Sequence, residues 1–294
     1  MRKLKLICVL LSAILCNRVS AQKNSVTLSN GEEKVQLPVF YDSIFTTYYH
    51  QRITHFRTLP QTKGDIIFLG NSITDGAEWS ELFNDLHVKN RGISGDITAG
   101  VIHRLDEIVK RKPKKIFLLI GTNDLAKGIT VDSILKNILL ITDYVHQQSV
   151  STTFYVQSIL PVHNAFGKFV THTKNGELIR QLNTKLQANA TAHHYLFIDL
   201  NHAFSNKEGK LKEVFTNDGL HLKGEAYLLW KHLIYPFVYD LQPKPSILPL
   251  PQQLKWEEGY FPLFNCKSIL VKEVFFKGEA YKLQNLLAEK GLNV

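Results

Sequence analysis

The chain has 294 residues, a formal net charge of +9, and 44% apolar and 21% charged residues. That balance is that of a soluble globular protein, and it excludes a disordered, a collagen-like or a polytopic membrane chain. The length accommodates one domain of about 200 residues with a small companion, or two modest domains.

The amino terminus stands apart. Arg2, Lys3 and Lys5 precede an apolar run from Leu6 to Leu15. Val19-Ser20-Ala21 then places small residues at the −3 and −1 positions of a cut before Gln22. This is the order of a secretory signal peptide over residues 1–21, so an exported protein, periplasmic or extracellular, is expected. The run is shorter than the roughly 20 residues of a spanning helix, so no membrane span is expected. Cys16 suggests a lipoprotein site, but Leu15 before it is bulky for that chemistry. Cleavage would leave 31 basic and 26 acidic residues, a net +5. That is too mild a charge to argue for nucleic acid as a partner. It would also leave Cys266 as the sole cysteine. The exported chain would then have no internal disulfide and no cysteine cluster for zinc.

Residues 22–60 read as an extended lead-in followed by a helix packed on the main body. Alternation begins after it. Apolar runs of strand length occur at Asp65–Leu69, Val88–Asn90, Lys115–Ile120, Thr153–Gln157 and Tyr195–Asp199. Between and after them lie helical periodicities: Val101, Leu105, Ile108 and Val109; Ile134, Leu135, Ile138, Ile141 and Val145; Leu178, Leu182 and Leu186; and Tyr227 to Val238. Strands alternating with helices predict an α/β fold, with a parallel sheet of about five strands covered on both faces. In such sheets function collects beyond the carboxyl ends of the strands. Residues 241–251 contain four of the ten prolines and read as a stiff linker. The 43 residues after it, 252–294, are few for an independent core.

Four sites along residues 61–240 carry chemistry. The first strand ends in Gly70-Asn71-Ser72-Ile73-Thr74. A serine at a strand-to-helix turn exposes its hydroxyl near a helix amino terminus, although serine is also a common helix cap. The second glycine of the Gly-x-Ser-x-Gly elbow is missing, so this is not an ordinary α/β-hydrolase signature. The second strand ends in Asn90-Arg91-Gly92-Ile93-Ser94-Gly95-Asp96, a loop able to turn an N–H toward an oxyanion or simply to make a tight turn. Its glycines fit neither nucleotide-binding pattern. The third strand ends in Gly121-Thr122-Asn123-Asp124, where Asn123 offers a neutral donor or an Asx-turn. Far downstream, Asn217-Asp218-Gly219-Leu220-His221 sets a carboxylate and an imidazole three residues apart. In one helical turn they can meet, leaving the second ring nitrogen for a serine. Read alone, that segment is equally a turn with a surface histidine.

Taken in order, these sites supply nucleophile, base, orienter and oxyanion donors. Here the chain resembles the SGNH (GDSL-like) esterases, with Ser72, Gly95, Asn123 and His221 in the four name-giving blocks. Asn71 departs from the aspartate usual in that family; it keeps the shape and loses a charge. The resemblance implies a three-layer α/β/α sandwich and a serine esterase with catalytic Ser72, Asp218 and His221. It implies an oxyanion hole from Ser72, Gly95 and Asn123, and no metal or other cofactor. Asp96 and Asp124 are expected to tie loops together. His163, after the fourth strand, is a candidate for lining the substrate cleft. The segments Ile247–Gln252, Trp256–Phe261 and Ala280–Leu292 resemble the opening of the small α/β domain that precedes the barrel of family 20 β-hexosaminidases.

Two classes of function compete. One is an exported carbohydrate esterase that removes acetyl groups, with O-acetylated sialic acid or N-acetylhexosamine as leading substrates. The other is a non-catalytic carbohydrate-binding accessory module of a glycosidase. Among enzymes, a lipid or thioester hydrolase is the alternative. The intact serine, aspartate and histidine favour an enzyme acting on a small-molecule or glycan ester. The sequence leaves the oligomeric state open.

Overall fold

The computed structural model describes residues 26–27, 33–241, 283–285 and 287. The signal-like segment, the linker from residue 242 and nearly all of the hexosaminidase-like piece lie outside the described residues. Five strands form one sheet: β1 (Ile66–Gly70), β2 (Val88–Gly92), β3 (Lys115–Leu119), β4 (Thr153–Gln157) and β5 (Leu196–Ile198). Every pairing is parallel, and the order is β2-β1-β3-β4-β5. All five residues of β1 and of β3 are buried, as apolar strands covered on both faces must be. A separate two-residue antiparallel pair joins Val26–Thr27 to Glu33–Lys34.

Helices fill the connections. The lead-in carries α1 (Thr47–Thr58), and α2 (Ser72–Asp75) and α3 (Trp79–Phe83) follow β1. After β2 come α4 (Thr98–His103) and α5 (Leu105–Lys110), and after β3 come α6 (Thr122–Ala126) and α7 (Val131–Gln148). Strand β4 leads to α8 (Val170–Thr173) and α9 (Gly176–Asn189), and β5 to α10 (Asn201–Phe204) and α11 (Gly224–Val238). No helix among the described residues is long and apolar enough to cross a membrane.

Alternate residues of the strands enter two different cores. Ile67, Leu69, Ile116, Leu118, Phe154 and Val156 meet an aliphatic layer from α4, α5, α7 and α9. Ile66, Phe68, Phe117, Leu119 and Tyr155 meet α3 and α11. Register makes this second face aromatic. Phe68 pairs with Phe117 and Phe117 with Tyr155, so their rings stack at centroid distances of 5.0 and 4.5 Å. Trp79 lies on Phe68 at 4.0 Å. Helices therefore cover both faces, giving the expected three layers.

Helix α1 buries Tyr49, Ile53 and Phe56, one face of i, i+4, i+7 spacing, in a small cluster with Ile93. Two expectations change. The stretch Val101 to Val109 is not one helix, because it breaks at Arg104. That guanidinium turns inward to the Asp96 carboxylate at 2.8 Å and to the carbonyls of Arg91 and Gly70 at 3.0 and 3.2 Å. In α9 the buried stripe is Ile179, Leu182 and Leu186, while Leu178 lies at its edge and is exposed.

The strand order positions the site. From β1 the chain passes to β2 on one side and then crosses to β3 on the other. The crevice beyond the carboxyl ends of β1 and β3 is where such sheets take ligands. Ser72 follows β1 and Asn123 follows β3.

Candidate active site

Ser72 opens the single-turn helix α2. Asn71 caps it, its side-chain oxygen accepting from the Ile73 N–H at 3.1 Å. That bond needs an oxygen and no charge, so an asparagine at this position keeps the cap. Helix α2 can approach β2 this closely only because Gly92 carries no side chain; a Cβ there would overlap the main-chain nitrogen of Asp75. Three side-chain bonds from outside the helix clamp α2. The Trp79 indole donates to the Thr74 carbonyl at 2.9 Å, the Tyr227 hydroxyl to the Ile73 carbonyl at 2.9 Å, and the Asn90 amide to the Asp75 carbonyl at 3.0 Å. As the first helical residue, Ser72 has an N–H with no intrahelical acceptor.

The loop after β2 is tied to α2 by the Asp75 carboxylate, which accepts from the Ser94 N–H at 3.1 Å and its hydroxyl at 2.7 Å. Gly95 is exposed, and among the described residues its N–H has no acceptor. Asp96 is buried and paired with Arg104. Burial outweighs the attraction of Arg104 and pushes the Asp96 carboxyl up to about 6. Asp124, on α6, accepts from the Thr98 N–H at 3.0 Å and its hydroxyl at 2.6 Å. Burial raises its carboxyl to about 6 as well. Both aspartates thus join loops.

Asn123 makes no Asx-turn. Its Nδ2 donates to the Asp96 carbonyl at 2.8 Å, and its Oδ1 lies 3.0 Å from His172 Nε2. One N–H of the amide remains for a ligand.

The segment 216–221 brings the second half. The Thr216 hydroxyl accepts from the N–H groups of Asp218 and Gly219 at 3.2 and 2.9 Å. Asp218 Oδ1 then accepts from the N–H groups of Leu220 and His221, both at 2.8 Å. Its Oδ2 meets His221 Nδ1 at 2.8 Å. Gly219 has φ +83°, and a Cβ there would overlap the carbonyl oxygen of His163. Burial alone would raise the Asp218 carboxyl, but the His221 ring and the two N–H bonds hold it below the ordinary aspartate value. An ionised Asp218 keeps the proton on His221 Nδ1. Nε2 is then the acceptor, and Ser72 Oγ lies 3.0 Å from it.

The structure therefore brings Ser72, His221 and Asp218 into one hydrogen-bonded chain. The Gly95 loop and the Asn123 amide stand on the neighbouring strand ends. Such a set can activate a hydroxyl and receive a developing oxyanion. His163 is placed differently from the cleft-lining expectation. It is only 5% exposed, because it backs the 218–221 turn. Its N–H donates to the Gly219 carbonyl at 2.8 Å, and its ring stands edge-on to Phe166 at 5.4 Å. Two residues on the site were not foreseen. His172 touches Asn123, and the Phe169 ring lies 4.9 Å from that of His221. Both sit in a stretch of mixed character with no periodicity and no recognisable motif.

The family model described as GDSL-like lipase/acylhydrolase matches residues 68–229, more than half of the chain. The chain belongs to the GDSL-like lipase/acylhydrolase family. It is an ester-hydrolysing enzyme. Among curated proteins, the chain is 27% identical over 182 residues to the platelet-activating factor acetylhydrolase IB subunit alpha1 of Homo sapiens, covering 59% of this chain and 76% of that one. It is also 26% identical over 194 residues to the N-acylneuraminate cytidylyltransferase of Escherichia coli. That match takes in 64% of this chain but only 44% of the cytidylyltransferase. A GDSL-like lipase structure from Bacteroides thetaiotaomicron shares the fold, with a TM-score of 0.58 at 23% identity over 66% of this chain and 98% of that one.

Proposed function

We propose that this acylhydrolase is an exported esterase that removes acetyl groups from carbohydrate. The observation that carries the esterase chemistry is the 3.0 Å contact between Ser72 Oγ and His221 Nε2, with Asp218 on the opposite ring nitrogen. In the proposed reaction, Ser72 Oγ attacks the ester carbonyl while His221 Nε2 takes its proton. The N–H groups of Ser72 and Gly95 and the Asn123 amide hold the oxyanion, and Asp218 stabilises the imidazolium. Collapse of the tetrahedral intermediate expels the sugar alcohol, which receives the proton from His221. Water, deprotonated by His221, then attacks the acyl-Ser72, and acetate leaves as His221 returns the proton to Ser72 Oγ.

The acetyl preference is supported by the acetylhydrolase relative. The sugar is supported by the relative named for N-acylneuraminate, and by the hexosaminidase-like sequence after the linker. Export rests on the signal-like residues 1–21. The acetylhydrolase relative also favours a second reading, with platelet-activating factor itself as the class of substrate. Acetate release from O-acetylated sialic acid, O-acetylated N-acetylhexosamine and platelet-activating factor separates the two. The expected result is turnover of an acetylated sugar, with acetyl esters outrunning butyryl esters at least about tenfold, as two added methylenes allow. Turnover of platelet-activating factor alone, or a preference for long acyl chains, overturns the carbohydrate reading.

A further inference from the structure

The strap between β4 and α9 touches both halves of the site. Phe169 lies in the left-handed region, with φ +48°, where a bulky residue is rarely found. That conformation turns its carbonyl to accept from the N–H groups of His172 and Thr173 at 2.8 and 2.9 Å. Its ring stands edge-on to His221 at 4.9 Å and to His172 at 5.9 Å. His172 is thereby delivered to Asn123. The nitrogen end of the Asn123 amide must face the Asp96 carbonyl, which only accepts. The oxygen end then faces His172, so Nε2 of that ring carries the proton and donates at 3.0 Å. The other ring nitrogen lies 3.2 Å from the Thr171 hydroxyl, which can donate to it.

We infer that His172 is a positioning residue for the oxyanion hole: its Nε2–H pins Asn123 Oδ1, so that the free N–H of the amide is aimed at the developing oxyanion. This rests on the reading of Asn123 as an oxyanion donor. One bond, to Asp96, leaves the amide plane free to rock about its last torsion; a second bond at its opposite end stops that motion. Preorganisation of this kind acts in the transition state and little in the ground state. The ring suits the place in charge as well. Burial, and then the neighbouring His221 and Lys127, disfavour protonation of His172. A neutral ring does not oppose the imidazolium that forms on His221.

The test is a double-mutant cycle with p-nitrophenyl acetate, run on the full chain. His172→Ala is expected to lower kcat about tenfold, a fraction of the 10²–10³ that follows loss of a whole donor, with KM changed less than about twofold. His172→Gln, whose amide nitrogen can reach the same place, is expected to restore most of the loss. In an Asn123→Ala background, His172→Ala is expected to change kcat less than about twofold. An equal loss in both backgrounds, a rise in KM alone, or a glutamine variant as poor as alanine overturns the inference. Should the alanine variant not fold, the glutamine and leucine variants decide it, glutamine retaining kcat and leucine losing it. Labelling of Ser72 by a fluorophosphonate in the unaltered chain separates the two failures. Absence of labelling refutes the serine mechanism, whereas labelling with a flat His172 series refutes only the positioning role.

Discussion

The two halves of the site are built in opposite ways. The base half is local. Between Thr216 and His221, five residues satisfy one another through a hydroxyl, a carboxylate and four main-chain N–H groups. The nucleophile half is assembled from afar. Ser72 is held by a helix that Trp79, Asn90 and Tyr227 clamp and that only a glycine on β2 admits. The comparison teaches that an imidazole can be oriented by its own turn. A nucleophile at a strand end depends on the packing of the whole sheet.

The sharpest way to test this contrast is to remove chemistry from each half without moving the backbone. Ser72→Ala is expected to lower kcat about 10⁶-fold while leaving the unfolding midpoint unchanged, since only a hydroxyl is lost. Retention of a tenth of the activity on a short-chain ester would end the nucleophile assignment. On the base side, Asp218→Asn keeps an oxygen for the turn but presents an N–H to His221. The ring then holds its proton on Nε2, and Ser72 loses its acceptor. A loss of about 10⁴ in kcat is expected, with the fold intact by circular dichroism.

A steric change should separate the halves further. At Gly92 a Cβ would lie 2.1 Å from the Asp75 nitrogen, so Gly92→Ala must push α2 away from β2. It is expected to destabilise by about 1–3 kcal/mol and to lower kcat, because the displaced helix carries Ser72. Urea unfolding and kinetics on the same preparation check both effects. Loss of stability with unchanged kcat would mean that α2 tolerates displacement and that the clamp is not needed for catalysis.

The smallest expected effect concerns pH. The halves carry carboxyls perturbed in opposite senses. Asp218 is held low by His221 and the turn, so its contribution to stability is present above its unfolded value and fades in acid. Asp124, by contrast, is raised by burial to about 6, from about 4 unfolded. Between those values the folded chain binds the proton more tightly. The stability from this group is therefore present below about pH 4 and is lost as pH rises through 6. Relative to the unaltered chain, Asp124→Asn should gain stability by about 2 kcal/mol between pH 4 and 7, as read from urea midpoints. A constant difference across that range would show that the buried carboxyl does not titrate with folding.

Much of this was legible along the chain. The apolar runs are strands, wholly buried in β1 and β3 and less so toward the edges of the sheet, and their alternation with helices announces a parallel sheet. Ser72 and Asn123 are visible as polar residues, and Gly95 as a loop glycine, beyond three successive runs. Asp218 and His221 are visible through their spacing. Other features were not legible. His163 lies just past a strand, like the site residues, yet it packs against the turn that carries His221. The break at Arg104 could not be read from periodicity, because the apolar residues continue in helical phase on both sides of it. At the break, Arg104 forms a buried ion pair with Asp96, a contact made by the tertiary fold.

By itself the sequence determined the layers of this protein and the identity of its reactive groups, because burial periodicity and local turn chemistry act over a few residues. Only the tertiary structure decided which of those groups meet. Ser72 and His221 are 149 residues apart and come within 3.0 Å because β1 lies inside the sheet, between β2 and β3, and α11 returns across its face. The same holds for His172, which nothing in its neighbours distinguishes. It reaches Asn123 because a phenylalanine in an unfavourable backbone conformation turns the strap back over the crevice. A contact between distant segments depends on the registers and crossings of every element between them, and no short stretch of chain encodes that.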